Sequence, residues 1–291
     1  MVTHSPAGQE GRSLDRLRSS APLVAVELRP PRNDLSRSQS IDAWIDLHHA
    51  IHELSQDDTA IFLTDNAVGS AEEESLHHVA MNLSGEVERS RIVPFLTCKH
   101  SLEYCRLFAS QSVSIGVEAL IVLGGDTSVG PPRCVEHAYE LREIICQQVP
   151  ALVLGGWANP HREPVRQVDY LLDPSFSADF YLTQVVSHHN LRVVERFLRE
   201  LRERKVPYPA LFGVFFYRSA NPKTLKMLSE FMPVPAKEIT REFEAGASAE
   251  EICARSIRAL RSVGVNHVYV SNLDLDRTRQ RRARLVEAVG T

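Results

Sequence analysis

The sequence predicts an α/β protein, a (β/α)8 TIM-type barrel, from three observations. Short apolar runs recur at fairly even intervals, most of them continuously apolar, as is typical of parallel strands buried on both faces. Amphipathic segments separate the runs, and the last segment of the chain is again helical. A doubly wound open sheet is the alternative, and the even spacing favours the barrel. The eight predicted strands are Leu23–Leu28, Ala60–Thr64, Ile92–Thr97, Ala119–Leu123, Ala151–Gly155, Phe180–Gln184, Ala210–Phe216 and His267–Ser271.

Three amphipathic segments support helices between these strands. Each places apolar residues on one helical face, and one begins after Asn190, a good N-cap, while another stops at Gly264. The interval between the seventh and eighth strands is about twice the others, which predicts one extra helix around residues 236 to 245. The predicted faces are Ile41, Trp44, Ile45 and Ile51; Leu191, Val194, Leu198 and Leu201; and Ile252, Ser256, Leu260 and Val263.

The 291 residues divide into a short arm and one domain. Residues 1–20 are rich in Ser, Gly and Arg without sustained periodicity, which predicts a flexible N-terminal arm. Residues 21–291 are then a single (β/α)8 barrel catalytic domain, because barrels of roughly 250 residues form one unit.

Composition excludes several classes of function. The net charge of −4 gives no reason to expect a nucleic acid as partner. No apolar run approaches the roughly 20 residues that span a bilayer, and the N-terminus lacks the apolar core of a secretory signal. The five cysteines contain no CxxC pair and are expected to be reduced thiols. The sequence therefore predicts a cytoplasmic protein without membrane partners.

The first predicted strand ends on a carboxylate, which is costly to place at the end of a buried strand unless it is paired or used. In LVAVELRPPR, Glu27 follows the apolar run, and Pro30 and Pro31 end the strand because they lack N–H donors. The carboxyl ends of parallel strands are where α/β barrels carry their chemistry. An ion pair of Glu27 with Arg29 or Arg32 is the alternative interpretation.

Asp126 is the second carboxylate at a predicted strand end, and it lies in the glycine-rich stretch 124–130. Two carboxylates facing one pocket would raise the pKa of one of them, as a general acid requires. The stretch matches neither a phosphate-binding P-loop nor GxGxxG. Its glycines permit a ligand ring to approach the backbone, or they form only a tight turn.

The three adjacent histidine pairs follow no metal-ligand spacing, so the sequence predicts no metal site. They are His48-His49, His77-His78 and His188-His189.

Five motifs at the predicted strand ends, taken together and in order, resemble those of the methylenetetrahydrofolate reductase family. Each motif is weak alone, and the five in register are fairly specific. They are VELRPPR at 26–32, PFLTCK at 94–99, VLGGD at 122–126, ANPHREP at 158–164 and ADFYLTQ at 178–184.

That resemblance implies a flavin-containing barrel enzyme in which NAD(P)H reduces FAD and the flavin reduces 5,10-methylenetetrahydrofolate to 5-methyltetrahydrofolate, a step of one-carbon metabolism and methionine biosynthesis. It implies Glu27 as general acid, Asp126 as the group that holds the pterin and stabilises the cation, and Gln184 as a pterin ligand. The expected partners are the folate and the nicotinamide nucleotide, with a homo-oligomer as a further expectation. The residues implied at the flavin are Thr64, Gly125, Asp126, Trp157 and His161.

The chain departs from the family at positions that are often basic and near the flavin phosphates. Asp169 and Asp173 occupy them, and their negative charge would repel a pyrophosphate unless Arg162 or Arg166 compensates. Two alternatives to a flavoenzyme follow. One is a flavin-free reductase with direct hydride transfer from NAD(P)H, and the other is a folate-binding accessory protein without turnover.

Overall fold

The chain folds into a closed barrel of eight parallel strands, β1 to β8, in which each strand pairs with its sequence neighbours and β8 pairs with β1. This computed structural model describes residues 12–32, 34–57, 59–65, 87–128, 130–273, 275 and 277–290. The predicted (β/α)8 barrel is confirmed, and the open sheet is excluded. The strands are Leu23–Leu28, Ile61–Leu63, Ile92–Thr97, Ala119–Leu123, Val153–Ala158, Phe180–Thr183, Ala210–Phe215 and His267–Ser271.

Helices surround the barrel, and β2 and β3 are joined by residues 66–86, which lie outside the described part of the chain. Short 3-10 helices cover Arg89–Arg91 and His188–Asn190. The α-helices are α1 Arg12–Arg18, α2 Arg37–Ser55, α3 Leu102–Ser114, α4 Ala138–Gln148, α5 Pro164–Leu172, α6 Leu191–Glu203, α7 Pro222–Ser229, α8 Ala236–Glu244, α9 Ala249–Ser262 and α10 Thr278–Val289. Among these helices none is long and apolar enough to cross a membrane.

The interior of the barrel is apolar, because alternate residues of each strand point inward. Leu23 and Ala25 of β1 lie in the same buried cluster as Phe180 and Leu182 of β6 and Tyr269 of β8. The intervening strand residues pack outward against the helices. This alternation fixes which side chain each strand presents at its carboxyl end.

Helix α1 is a difference from the flexible arm that the sequence predicts for residues 1–20. Leu14 and Leu17 are buried and join the inner barrel cluster at the amino ends of the strands, where α1 lies over an apolar cavity. A helix of seven residues is too short for its periodicity to stand out in a polar sequence. Residues 1–11 lie outside the described part.

The buried face of α2 also differs from the prediction. Trp44 and Ile51 are buried as expected, whereas Ile41 and Ile45 are about half exposed. Leu47 and Leu54 take the inner positions instead, so the apolar stripe is rotated relative to the predicted one.

Other local predictions hold with small changes. The extra helix predicted around residues 236–245 is α8. A further helix, α7, precedes it, and the side chain of Asn221 caps the amino end of α7. Gly264 follows the end of α9 with φ of +95°, as a C′ glycine does. Asn190 precedes α6, but its side chain accepts from the backbone N of Ser187 and does not cap the helix.

Strand β5 begins and ends later than predicted, and the shift brings Trp157 into the strand. Gly155 and Gly156 lie in its middle because aromatic rings occupy the space that their side chains would take. A Cβ on Gly155 would lie 2.7 Å from the ring of Phe180, and one on Gly156 would lie 2.7 Å from the ring of Phe176.

Arg142 is a buried cation that joins α4 to β4 and to the segment before β6. Its guanidinium donates to the carbonyl of Phe176 at 2.7 and 2.9 Å and to that of Val122 at 3.3 Å, and it lies over the ring of Phe176. Burial lowers the pKa of Arg142 to about 10, so the side chain is still charged at neutral pH.

We expect Arg142→Met to lower the free energy of unfolding by about 2 to 4 kcal/mol, because two buried carbonyls lose their donor. Urea denaturation measures the loss. The control is Arg106→Met on α3, whose exposed guanidinium bonds Gln148, and which should change stability by less than about 0.5 kcal/mol. Equal effects of the two substitutions would contradict the structural role of Arg142.

Candidate functional site

The candidate site lies at the carboxyl ends of the barrel strands, where the inward alternation ends in polar and aromatic side chains. Since all strands are parallel, these ends meet at one rim. Glu27 follows Leu23 and Ala25 on the inner face of β1, and Gln184 follows Phe180 and Leu182 at the end of β6. By the same alternation the inner rim positions are Glu27, Thr64, Thr97, Leu123, Trp157, Gln184, Phe215 and Ser271.

Glu27 is partly buried and is held by a neighbour on β8 that the sequence reasoning missed. The hydroxyl of Ser271 donates to Glu27 Oε1 at 2.6 Å, and the pairing of β1 with β8 brings the two residues side by side. Burial, with the charge of Glu27 adding to it, raises the pKa of Tyr269 well above its usual value. The Tyr269 hydroxyl therefore stays protonated and donates to the carbonyl of Thr183 at 2.6 Å.

Asp126 is an ionised carboxylate in the loop that follows β4. Its Oδ1 accepts from the hydroxyl of Ser128 at 2.6 Å and from the Ser128 backbone N at 2.8 Å. These two hydrogen bonds, with the charges of Lys99 and Arg133, lower the pKa of Asp126. Asp126 is thus an acceptor at neutral pH.

The glycines before Asp126 make room for the protein's own cations. Gly125 has φ of +74°, and a Cβ there would lie 2.8 Å from the side chain of Lys99, while one on Gly124 would lie 2.7 Å from the guanidinium of Arg133. Lys99 is nearly buried and donates to the carbonyl of Pro131 at 2.9 Å. These contacts favour the tight-turn interpretation, and the flavin contact of Gly125 stays a prediction.

Gln184 and His161 belong to one hydrogen-bonded group. Gln184 Oε1 accepts from the backbone N of Val185 at 2.9 Å, which directs the amide nitrogen away from that bond. His161 Nε2 lies 2.9 Å from the carbonyl of Val185 and must carry a proton to donate to it. His161 therefore fixes the segment that carries Gln184.

Trp157 is the exposed aromatic residue of the rim. Trp157 lies in β5 on the same face as Val153, which belongs to the inner cluster. Its exposed fraction is 36%. Trp44, by contrast, is 5% exposed. An exposed indole on the inner side of a barrel mouth offers a flat surface on which a ring can stack.

Thr64 follows β2 at the rim, and its backbone N donates to the carbonyl of Leu28 at 3.0 Å. The next residue, Asp65, accepts from the backbone N of Thr97 at 2.7 Å and pairs with His100 at 2.8 Å. The sequence reasoning did not predict this pair, because its partners lie 35 residues apart on different loops.

Acidic side chains surround α5, near which the phosphates of a flavin were predicted. Glu163 caps the helix by accepting from the backbone N of Arg166, and Asp169 pairs with Arg204. Asp173 accepts from the backbone N and the hydroxyl of Ser175, hydrogen bonds that lower its pKa. Arg32, which the alternative interpretation pairs with Glu27, forms an ion pair with Asp34.

The rim and α5 differ in how well they fit a flavin. Thr64 and Trp157 occupy inner rim positions, and His161 lies in the loop that follows β5. The amino end of α5 is already capped by the carboxylate of Glu163, and Asp173 adds a second negative charge at its other end, so this helix does not fit a diphosphate.

Comparison with known proteins gives structural similarity only. No protein-family model and no curated protein sequence matches this chain. An uncharacterized protein from Clostridium thermocellum, which binds two copies of 5-methyl-5,6,7,8-tetrahydrofolic acid, superposes with a TM-score of 0.66 at 16% identity, covering 94% of this chain and 98% of that one. A putative deoxyribose-phosphate aldolase from Toxoplasma gondii gives a TM-score of 0.45 at 12% identity, covering 94% and 96%. The first supports the barrel fold.

Proposed function

We propose that this chain binds a reduced folate at the carboxyl rim of the barrel and reduces 5,10-methylenetetrahydrofolate to 5-methyltetrahydrofolate with NAD(P)H. The observation that carries the proposal is the position of Glu27, Trp157 and Gln184 at the inward-facing carboxyl ends of three strands of one barrel. The resemblance of five motifs to those of the methylenetetrahydrofolate reductase family supports it, and so does the folate bound by the structurally similar Clostridium thermocellum protein.

The rim residues have the chemistry that a pterin needs. Trp157 stacks on the ring, and the amide nitrogen of Gln184 donates to a ring acceptor, since its oxygen is bonded to Val185. Asp126 is ionised and accepts from the N–H groups of the pterin. Together they orient the ring above the apolar interior of the barrel.

Glu27 acts as the general acid in this proposal. It gives its proton to a folate ring nitrogen, the bond from that nitrogen to the bridging carbon breaks, and the resulting iminium carbon accepts a hydride. NAD(P)H supplies the hydride and leaves as NAD(P)⁺. An ordinary glutamate ionises at about 4.3, so the role requires surroundings that favour the neutral acid. Ser271 orients the carboxyl group through Oε1.

The hydride can reach the folate by two routes in this proposal. FAD, if bound, would relay the hydride, with Thr64, Trp157 and His161 around its ring. A second route is direct hydride transfer from NAD(P)H, with the nicotinamide cofactor in the place of the flavin. The acidic side chains around α5 count against the diphosphate of any dinucleotide placed along α5, so NAD(P)H would have to bind in another orientation.

A second candidate function is a folate-binding protein without turnover. The acidic side chains of Glu163 and Asp173 favour it, because a folate has a ring for the rim and carries no diphosphate. Retained folate binding without NAD(P)H oxidation would support this candidate over the reductase.

The test of the proposed function combines a spectrum with an assay. The visible spectrum of the freshly purified protein shows whether flavin is bound. NAD(P)H oxidation is then measured with and without 5,10-methylenetetrahydrofolate, and the proposal expects oxidation that depends on the folate. No folate-dependent oxidation, with or without added FAD, would exclude the reductase.

We expect the double change Asp169→Lys and Asp173→Lys to tighten FAD binding several-fold, because it replaces two negative charges with positive ones near the predicted phosphates. Quenching of flavin fluorescence on titration measures the affinity. The control, Glu195→Lys with Glu203→Lys, makes the same charge change on α6. If both double variants change the affinity for FAD by the same factor, the phosphates do not lie near α5.

A further inference from the structure

We propose that His188, His189 and Glu242 form a binding site for a divalent transition-metal ion of the zinc type. The two histidines lie in the 3-10 helix before α6, and Glu242 lies on α8, in the segment inserted between β7 and β8. The site is separate from the folate rim, and the proposal does not depend on the proposed function.

The three candidate ligand atoms lie close to one another without an ion. One nitrogen from each histidine and one carboxylate oxygen lie within 4.8 Å of one another. His188 Nε2 is 3.2 Å from Glu242 Oε1, and His189 Nε2 is 3.0 Å from Oε2. An ion bound at about 2.0 to 2.2 Å from each ligand needs ligand atoms roughly 3 to 3.5 Å apart, so small movements suffice.

Ser256 of α9 fixes which nitrogen of His188 faces the carboxylate. The Ser256 hydroxyl lies 2.9 Å from His188 Nδ1 and 3.5 Å from the carbonyl of Ile252, to which it can donate its proton. In the tautomer in which Nδ1–H donates to the Ser256 oxygen, the Nε2 lone pair faces Glu242 and can bind an ion. Metal-binding histidines are held in this way, by a hydrogen bond from the other ring nitrogen.

A proton or a metal ion between His188 Nε2 and the Glu242 carboxylate would satisfy both groups. The two imidazole rings are 3.8 Å apart between centroids, so a proton on one opposes a proton on the other. The neutral form of an imidazole is the form that binds metal. A shared ion satisfies both nitrogens at once.

Glu242 is suited to be the anionic ligand. Arg255 donates to Oε1 at 2.6 Å, while Oε2 faces His189. Arg255 is the more exposed partner, and its guanidinium can turn toward solvent when an ion supplies the positive charge. Two nitrogens and one oxygen form a zinc-type ligand set, to which a water molecule would add the fourth ligand.

A bound ion would tie α8 to the segment that follows β6. Gln184 lies four residues before His188 in that segment, so the ion would stabilise the backbone that carries a proposed folate ligand. Sequence spacing could not reveal the site, because 53 residues separate His189 from Glu242.

The test titrates Zn²⁺ into chelator-treated full-length protein by calorimetry. We expect one ion per chain, and at least a tenfold weaker affinity or loss of that ion in His189→Ala. Glu242→Gln, which keeps the size and one hydrogen-bonding oxygen, is expected to weaken binding as well. The control is His137→Ala, which removes an exposed histidine beside Glu136 and should bind like the parent.

Circular dichroism confirms that each variant is folded before titration. Co²⁺ in place of Zn²⁺ then reports the ligands through its visible spectrum. A spectrum of nitrogen and oxygen ligands that disappears in His189→Ala supports the site. A thiolate-to-cobalt band, or equal binding by the parent and by both variants of the cluster, would overturn the proposal.

Discussion

Glu27→Gln is expected to lower folate reduction by a factor of about one hundred or more, because the amide keeps the shape of the side chain but has no proton to transfer. Folate binding should be largely retained, since Trp157, Asp126 and Gln184 are unchanged. The measurement is kcat/KM for NAD(P)H oxidation with 5,10-methylenetetrahydrofolate, next to a calorimetric Kd for 5-methyltetrahydrofolate.

The control for this change is Glu287→Gln, which alters an exposed carboxylate in the last turn of α10. It should leave both quantities unchanged. If the protein contains flavin, its reduction by NAD(P)H should persist in Glu27→Gln, because that half-reaction does not open the folate ring. A Glu27→Gln protein that turns over at the parent rate would remove Glu27 from the mechanism.

Trp157→Ala is expected to weaken folate binding by about tenfold to a hundredfold, as stacking of a heteroaromatic ring on an aromatic side chain contributes about 1 to 3 kcal/mol. Trp157→Phe should keep much of the affinity, because a ring is still present. Calorimetry with 5-methyltetrahydrofolate gives the three dissociation constants.

Tryptophan fluorescence gives an independent reading of the same contact. The protein has two tryptophans, and Trp44 is buried on the inner face of α2. Quenching by folate should therefore come mainly from Trp157 and be lost in Trp157→Phe. Quenching of equal size in the parent and in this variant would show that the folate does not stack at the rim.

The barrel could be predicted from the sequence because its strands are continuously apolar and evenly spaced. The predictions for β1, β3, β4 and β8 match the observed strands residue for residue. The error at β5 arose because Gly155 and Gly156 look like the end of a strand. They lie within it because two aromatic rings fill their space.

The candidate site could be predicted in part. Glu27 and Gln184 are visible as polar residues that end apolar runs, and parallel strands bring such ends together. Their partners could not be predicted, because these contacts depend on distant segments. Ser271 is 244 residues from Glu27, and Glu242 meets two histidines of another loop only after the insertion folds back.

The most direct test of the central claim is a calorimetric titration of 5-methyltetrahydrofolate into the purified protein. We expect saturable binding with a Kd between about 1 μM and 1 mM, the range of enzyme substrates, and weaker binding by Trp157→Ala. The absence of binding at millimolar folate, or equal affinity in the parent and in Trp157→Ala, would contradict a folate site at the carboxyl rim.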